Sequence, residues 1–168
     1  DVVLGRRLGL RGMGWGALFG TLPDLDVLFF YFADSVAELE LHRGLSHSVL
    51  LCCLISLVAG AWLHRRWKTR QVGLRRSIAF VFLAWSTHVL IDVFTVYGTQ
   101  IWEPFSNRRV STDNLFIIDP LFTLPLLAGL FWSGCRHLRG GREKAPKITQ
   151  VALALAGVYA VWSLAAHA

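Results

Sequence analysis

Residues 42–62 read HRGLSHSVLLCCLISLVAGAW, a protonatable heptapeptide running straight into fourteen residues with no charge. The second part reads as a membrane-crossing helix, because a run of about 20 apolar residues spans the ~30 Å hydrocarbon core of a bilayer. The first part is then either a polar cap on that helix or one wall of a site.

The rest of the chain carries the same signature. Of its 168 residues, 54% are hydrophobic and only 17% charged, with seven Trp and eleven Phe, and the mean hydropathy is +0.49. Five apolar stretches are visible, at about 12–32, 48–64, 77–97, 115–134 and 148–166. They predict an all-α, polytopic membrane bundle of about five transmembrane helices, a single integral-membrane domain. The first stretch is expected to break at Pro23, which has no N–H to donate and starts a new helical segment readily. The net charge of +6 would suit a nucleic-acid binder, but its basic residues lie between the apolar runs rather than along a polar face, so no nucleic-acid partner is expected. The three cysteines have neither metal-finger nor disulfide-framework spacing and read as buried thiols.

Basic residues also set an orientation. Fourteen of the seventeen fall before the first stretch (Arg6, Arg7, Arg11), between the second and third, or between the fourth and fifth. Only Arg43, Arg108 and Arg109 lie on the alternate connections. By the positive-inside rule the N-terminal side is cytoplasmic, and the 33–47 and 98–114 connections face outward.

Ionisable groups inside apolar spans are costly and mark cavities or partners. The first span holds Asp24 and Asp26 in GTLPDLD, the third His88 and Asp92 in WSTHVLIDVFT, and the fourth begins FIIDPLF with Asp119. His88 and Asp92 are four apart, one turn along one helix face, with Thr95 extending the stripe. That spacing serves a shared metal, a carboxylate orienting an imidazole, or a hydrogen-bonded pair joining two helices. Asp24 and Asp26 would diverge by about 200° on a regular helix; a break at Pro23 lets both face one cavity. On the predicted orientation, Asp24, Asp26, His88 and Asp92 lie roughly 7–14 Å below the outer surface, beside His42 and His47. Six ligands from three segments thus converge, with Gly44 expected to make the tight turn between the two histidines.

Three carboxylates and three imidazoles suit Zn, with Mn as the alternative, over Ca or Mg. Six ligands suit two ions, an arrangement that clamps the attacking and leaving oxygens of a phosphoryl displacement. Arg43, Arg108 and Arg109 lie on the same side, as phosphate-binding forks or headgroup anchors. One aspartate among Asp24, Asp26 and Asp92 is expected to act as base or to support a ligand from behind, and Arg43 is counted with them among the catalytic candidates.

Together GTLPDLD, HRGLSHS and HVLIDVFTVYGTQIWEPFSNRR, within residues 20–125, resemble the YdjM-like family of membrane-bound metal-dependent hydrolases, inner-membrane proteins described as LexA-binding. That family is distantly similar to zinc-dependent phospholipases C, helical enzymes with a His/Asp zinc cluster. The resemblance implies a bacterial inner-membrane hydrolase with Asp24 or Asp26, His42, His47, His88 and Asp92 as metal ligands, acting on a lipid or lipid-linked phosphoester. Family members begin with a short polar helix and longer ones continue into a soluble domain, so this chain is expected to lack both. Two other classes stay open: a metal or proton transporter, against which stand the apolar inner halves IAFVFLAW and LVAGAW, and a non-catalytic stress-response protein with a structural metal.

Overall fold

A computed structural model describes residues 8–30, 43–68, 71–116, 118–140 and 145–167. Among the described residues there are five α-helices of twelve or more residues and one short turn of α-helix, and no strand beyond the isolated bridge between Thr99 and Val110.

Helix α1, Leu10–Thr21, stops where the sequence demands it. Pro23 cannot donate to an α-helical ladder, so the backbone tightens into a 3-10 turn, Leu22–Asp26, before one further turn, Val27–Phe30. The first apolar stretch is thus broken at Pro23, as expected. Helix α2, Val49–Arg66, is capped by the Ser48 hydroxyl, which accepts the Leu51 N–H at 3.1 Å. Helix α3 is Leu74–Val93, α4 is Pro120–Leu138 and α5 is Ala145–His167.

Among the described residues, three segments are long and apolar enough to cross a bilayer: Val49–Arg66, Leu74–Val93 and Lys147–Ala166. Helix α4 has 19 residues, but Pro125 and a last turn of Arg136 and His137 dilute its apolar character. It also starts five residues later than the apolar run suggests, because Asp119 caps it. The Asp119 carboxylate accepts the N–H groups of Leu121 and Phe122, and the Tyr159 hydroxyl donates to it at 2.9 Å. That intramembrane carboxylate therefore has a structural role.

The chain divides into two compact units, one comprising Gly16–Asp113 and the other the stretches up to Trp15 and from Asn114 onward. In the first, α2 packs on α3 through a ridge of small residues, Cys52, Ser56 and Gly60, against Ser77, Val81, Trp85 and Val89. In the second, Gly129, Ser133 and His137 of α4 and Ala152, Ala156 and Ala160 of α5 are buried, with Gly129 directly on Ala152. These i, i+4 rows of small side chains let backbones approach closely, the packing used where lipid removes any hydrophobic drive between helices. Large apolar groups point the other way: Val58 is 70% exposed, and Leu57, Leu90, Phe131, Val158 and Trp162 are exposed as well. Small residues inside and large apolar ones outside are the inverse of a water-soluble core. The protein is membrane-embedded.

At Gly60, α2 comes very close to the α3 backbone. A Cβ there would lie 2.6 Å from the Ile78 Cα, a backbone atom with nowhere to retreat. Gly60→Ala is expected to destabilise the protein by about 1–3 kcal/mol, despite alanine's better helix propensity. Gly157→Ala, where a Cβ meets nothing within 4 Å, serves as the control and should be neutral or mildly stabilising. Reversible unfolding in detergent compares the two.

Candidate metal centre

The site forms where the 3-10 turn after α1, the start of α2 and the end of α3 meet. Asp24 sits on the 3-10 turn, His47 on a second short 3-10 turn, Leu45–His47, and His88 and Asp92 one turn apart on α3. One ligand atom from each of these four residues lies within 4.8 Å of the other three.

The close contacts form a ring. His47 Nε2 is 3.1 Å from Asp92 Oδ2 and 3.4 Å from Asp24 Oδ1. His88 Nε2 is 3.3 Å and 3.2 Å from the same two oxygens. The two rings are tilted at 47° with centroids 5.4 Å apart. His47 is fully buried and Asp92 nearly so, while the Asp24 side chain is 48% exposed. The cluster is therefore sealed on one side and open at Asp24.

This donor set fits a divalent cation better than it fits hydrogen bonding alone. Two Nε2 atoms bring at most two protons, yet they make four close contacts with carboxylate oxygens. Asp92 Oδ2 is buried and makes no hydrogen bond of sound geometry. Atoms bound to one ion at about 2.0–2.1 Å in a tetrahedron are separated by roughly 3.3–3.4 Å, close to the observed spacings. Two nitrogens and two oxygens suit Zn or Mn. The field points the same way: burial disfavours a charged His47, but the Asp24 and Asp92 carboxylates outweigh it and hold the imidazole above its usual pKa.

Asp26 and Arg43 lie one layer further out. The Asp26 carboxylate accepts the Ser46 hydroxyl at 2.7 Å and the Arg43 backbone N–H at 3.2 Å, leaving it 3.8 Å from His47 Nδ1. The break at Pro23 does bring both aspartates to His47, but on opposite ring nitrogens. Arg43 directs its guanidinium inward, to Asp92 Oδ1 at 3.2 Å and to the Thr95 hydroxyl at 2.9 Å, with the Tyr97 ring 5.8 Å away. Its own backbone is in the left-handed region, at φ 61°, a strained choice for a residue with a Cβ. The turn in HRGLSHS is shared by Arg43, in the left-handed region, and Gly44, whose φ −89° and ψ −120° also lie outside the regular regions. His42 lies outside the described residues.

The connection after α3 holds this wall in place. Gln100 N–H donates to the Arg43 carbonyl and Val49 N–H to the Ile101 carbonyl, while Trp85 Nε1 donates to the Ser46 carbonyl at 3.1 Å. On that connection Arg108 is exposed, and Arg109 reaches the Gly98 carbonyl at 3.5 Å. Ser46, Trp85 and Thr95 are the supporting groups that motif reading does not single out as such. Of these only Thr95 had a visible signal, its place on the His88–Asp92 stripe.

Spanning helices with small-residue seams and a buried His/Asp cluster at one end define a helical membrane protein with a candidate metal centre. The YdjM inner membrane protein family matches residues 3–168, nearly the whole chain, and the protein belongs to that family. The chain is 29% identical over 108 residues to the uncharacterized protein YfhP of Bacillus subtilis (strain 168), covering 64% of this chain and 32% of that protein. It is 32% identical over 97 residues to the inner membrane protein YbcI of Escherichia coli (strain K12), covering 56% of this chain and 54% of that relative. The matches thus span about half or less of each relative's length. No solved structure matches.

Proposed function

We propose that the protein is an integral-membrane, metal-dependent hydrolase acting on a phosphoester of a lipid or lipid-linked substrate. The observation that carries this reading is the ring of Asp24, His47, Asp92 and His88, open at the half-exposed Asp24. Four protein ligands would fill a tetrahedral ion, so catalysis requires the half-exposed Asp24 to give up its place to water or substrate, or the ion to take a fifth ligand. A bound Zn or Mn ion would act as Lewis acid toward a phosphoryl oxygen and activate water.

The chain's own groups supply the rest. Asp24, His47, His88 and Asp92 would hold the ion; Arg43 and Asp26 brace Asp92 and His47 from behind. Four ligands around one centre support a single ion, and a second would have to draw on His42. Substrate class follows from placement. The ring lies between the N-terminal end of α2 and the C-terminal end of α3, and the connection beside it exposes Tyr97, Trp102 and Phe105. Aromatic groups at span ends favour the headgroup layer. With the basic residues taken as cytoplasmic, that end belongs to the outer leaflet of the inner membrane.

The protein in lipid nanodiscs is expected to hydrolyse a lipid phosphoester, to fall to background after chelation, and to recover with Zn or Mn. Soluble phosphoesters should be poorer substrates. Stoichiometric metal with no turnover across lipid and soluble phosphoesters would refute the hydrolase and leave a structural ion.

A further inference from the structure

Ser46 stands between two groups that make different demands on it. Its hydroxyl oxygen is 2.7 Å from Asp26 Oδ2 and 2.8 Å from His47 Nδ1. A serine hydroxyl has one proton to donate and lone pairs to accept with. Asp26 Oδ2 also takes the Arg43 backbone N–H, so it acts as an acceptor and receives the hydroxyl proton. The remaining short contact then needs its proton from the other side, and only Nδ1 of His47 can bring it. A neutral imidazole protonated at Nδ1 carries its lone pair on Nε2, the atom facing Asp24 and Asp92.

We propose that Ser46 and Asp26 are positioning residues, forming a relay Asp26–Ser46–His47 that fixes His47 as the Nδ1–H tautomer and turns its Nε2 lone pair toward a divalent cation. This rests on the metal-centre reading above. Many metal-ligating histidines donate their second N–H directly to a carboxylate; here Asp26 is too far, at 3.8 Å, and a hydroxyl bridges the gap. The relay is held rigidly. Trp85 Nε1 grips the Ser46 carbonyl, and His47 N–H donates to the Gly44 carbonyl at 2.9 Å. Asp26 itself is buried, with Pro23 setting the turn that presents it.

The test uses the full chain in detergent micelles with Zn(II) alone as probe. Chelator competition is expected to show Zn binding weakened about 10–100-fold in Ser46→Ala, the loss usual for a partner behind a ligand. Ser46→Thr, which keeps the hydroxyl, should restore it, and thermal unfolding of the zinc-free Ser46→Ala protein should match wild type. Histidine ¹⁵N correlation spectra of the zinc-loaded wild type should show His47 protonated at Nδ1 and metal-bound at Nε2. Unchanged Zn affinity in Ser46→Ala, or coordination of His47 through Nδ1, would overturn the relay while leaving the metal centre standing. A wild type that takes up no Zn would overturn both.

Discussion

Removing His88 is expected to strip the protein of its metal. Wild type should carry about one equivalent of Zn or Mn per chain, and His88→Ala should retain almost none after dialysis against a chelator. His88 Nε2 makes two of the four contacts in the ring. Without it three ligands remain, one of them the half-exposed Asp24, and affinity should fall by more than the roughly 100-fold upper range for groups that only support a ligand. His64→Ala is the matching control. That histidine lies in the last turn of α2, with Nδ1 2.9 Å from the Val72 carbonyl, and its loss should leave metal content unchanged. Elemental analysis decides the matter: no transition metal in either protein would reduce the cluster to a His–Asp network joining three segments.

Replacing Arg43 should have the largest effect on stability, and one that depends on the metal. The guanidinium is almost buried and pairs with Asp92, itself buried. Taking one partner from such a pair costs about 3–5 kcal/mol, mostly from the charge left behind. A cation in the ring would compensate Asp92 in the guanidinium's place. Arg43→Met is therefore expected to destabilise the metal-free protein strongly and the loaded protein far less, so added Zn should raise its unfolding midpoint more than that of wild type. Arg43→Lys should not restore stability, because one ammonium does not reproduce a planar fork reaching both Thr95 and Asp92. Equal losses with and without Zn would show that nothing in the ring takes over the role.

The features legible in the sequence were those carried by covalent geometry. The four-residue spacing of His88 and Asp92 survives because α3 is regular there, and the break at Pro23 follows from a missing N–H. The convergence of Asp24, His47, His88 and Asp92 was legible from apolar spans and their ends. What was not legible depends on side-chain direction in irregular backbone. Spacing cannot say that Asp24 meets Nε2 of His47 while Asp26 faces the Nδ1 side, since the 3-10 turn's pitch sets both directions. Nor does composition reveal that Arg43 folds inward: a lone arginine between apolar spans reads as a phosphate-binding fork or a headgroup anchor until Asp92 and Thr95 are seen beside it. Gly44 was the expected turn residue on steric grounds and does take an irregular conformation, but the left-handed one falls on Arg43, held by hydrogen bonds with Asp26 and Gln100. The start of α4 shifted for a similar reason, because capping by Asp119 decides where that helix begins.

Ser46, His47 and Ser48 are three consecutive residues: one hydrogen-bonded to the His47 ring, one contributing that ring to the cluster, and one capping a spanning helix. No slack exists between the cap and the ligand, so α2 acts as a plumb line for the site. The height at which that helix enters the bilayer fixes the height of the His47 ring, to within one residue. A bilayer thickened or thinned enough to make α2 tilt or slide would carry the ring with it, toward the headgroups or away from them. The depth of the cluster would then be set by the thickness of the surrounding lipid.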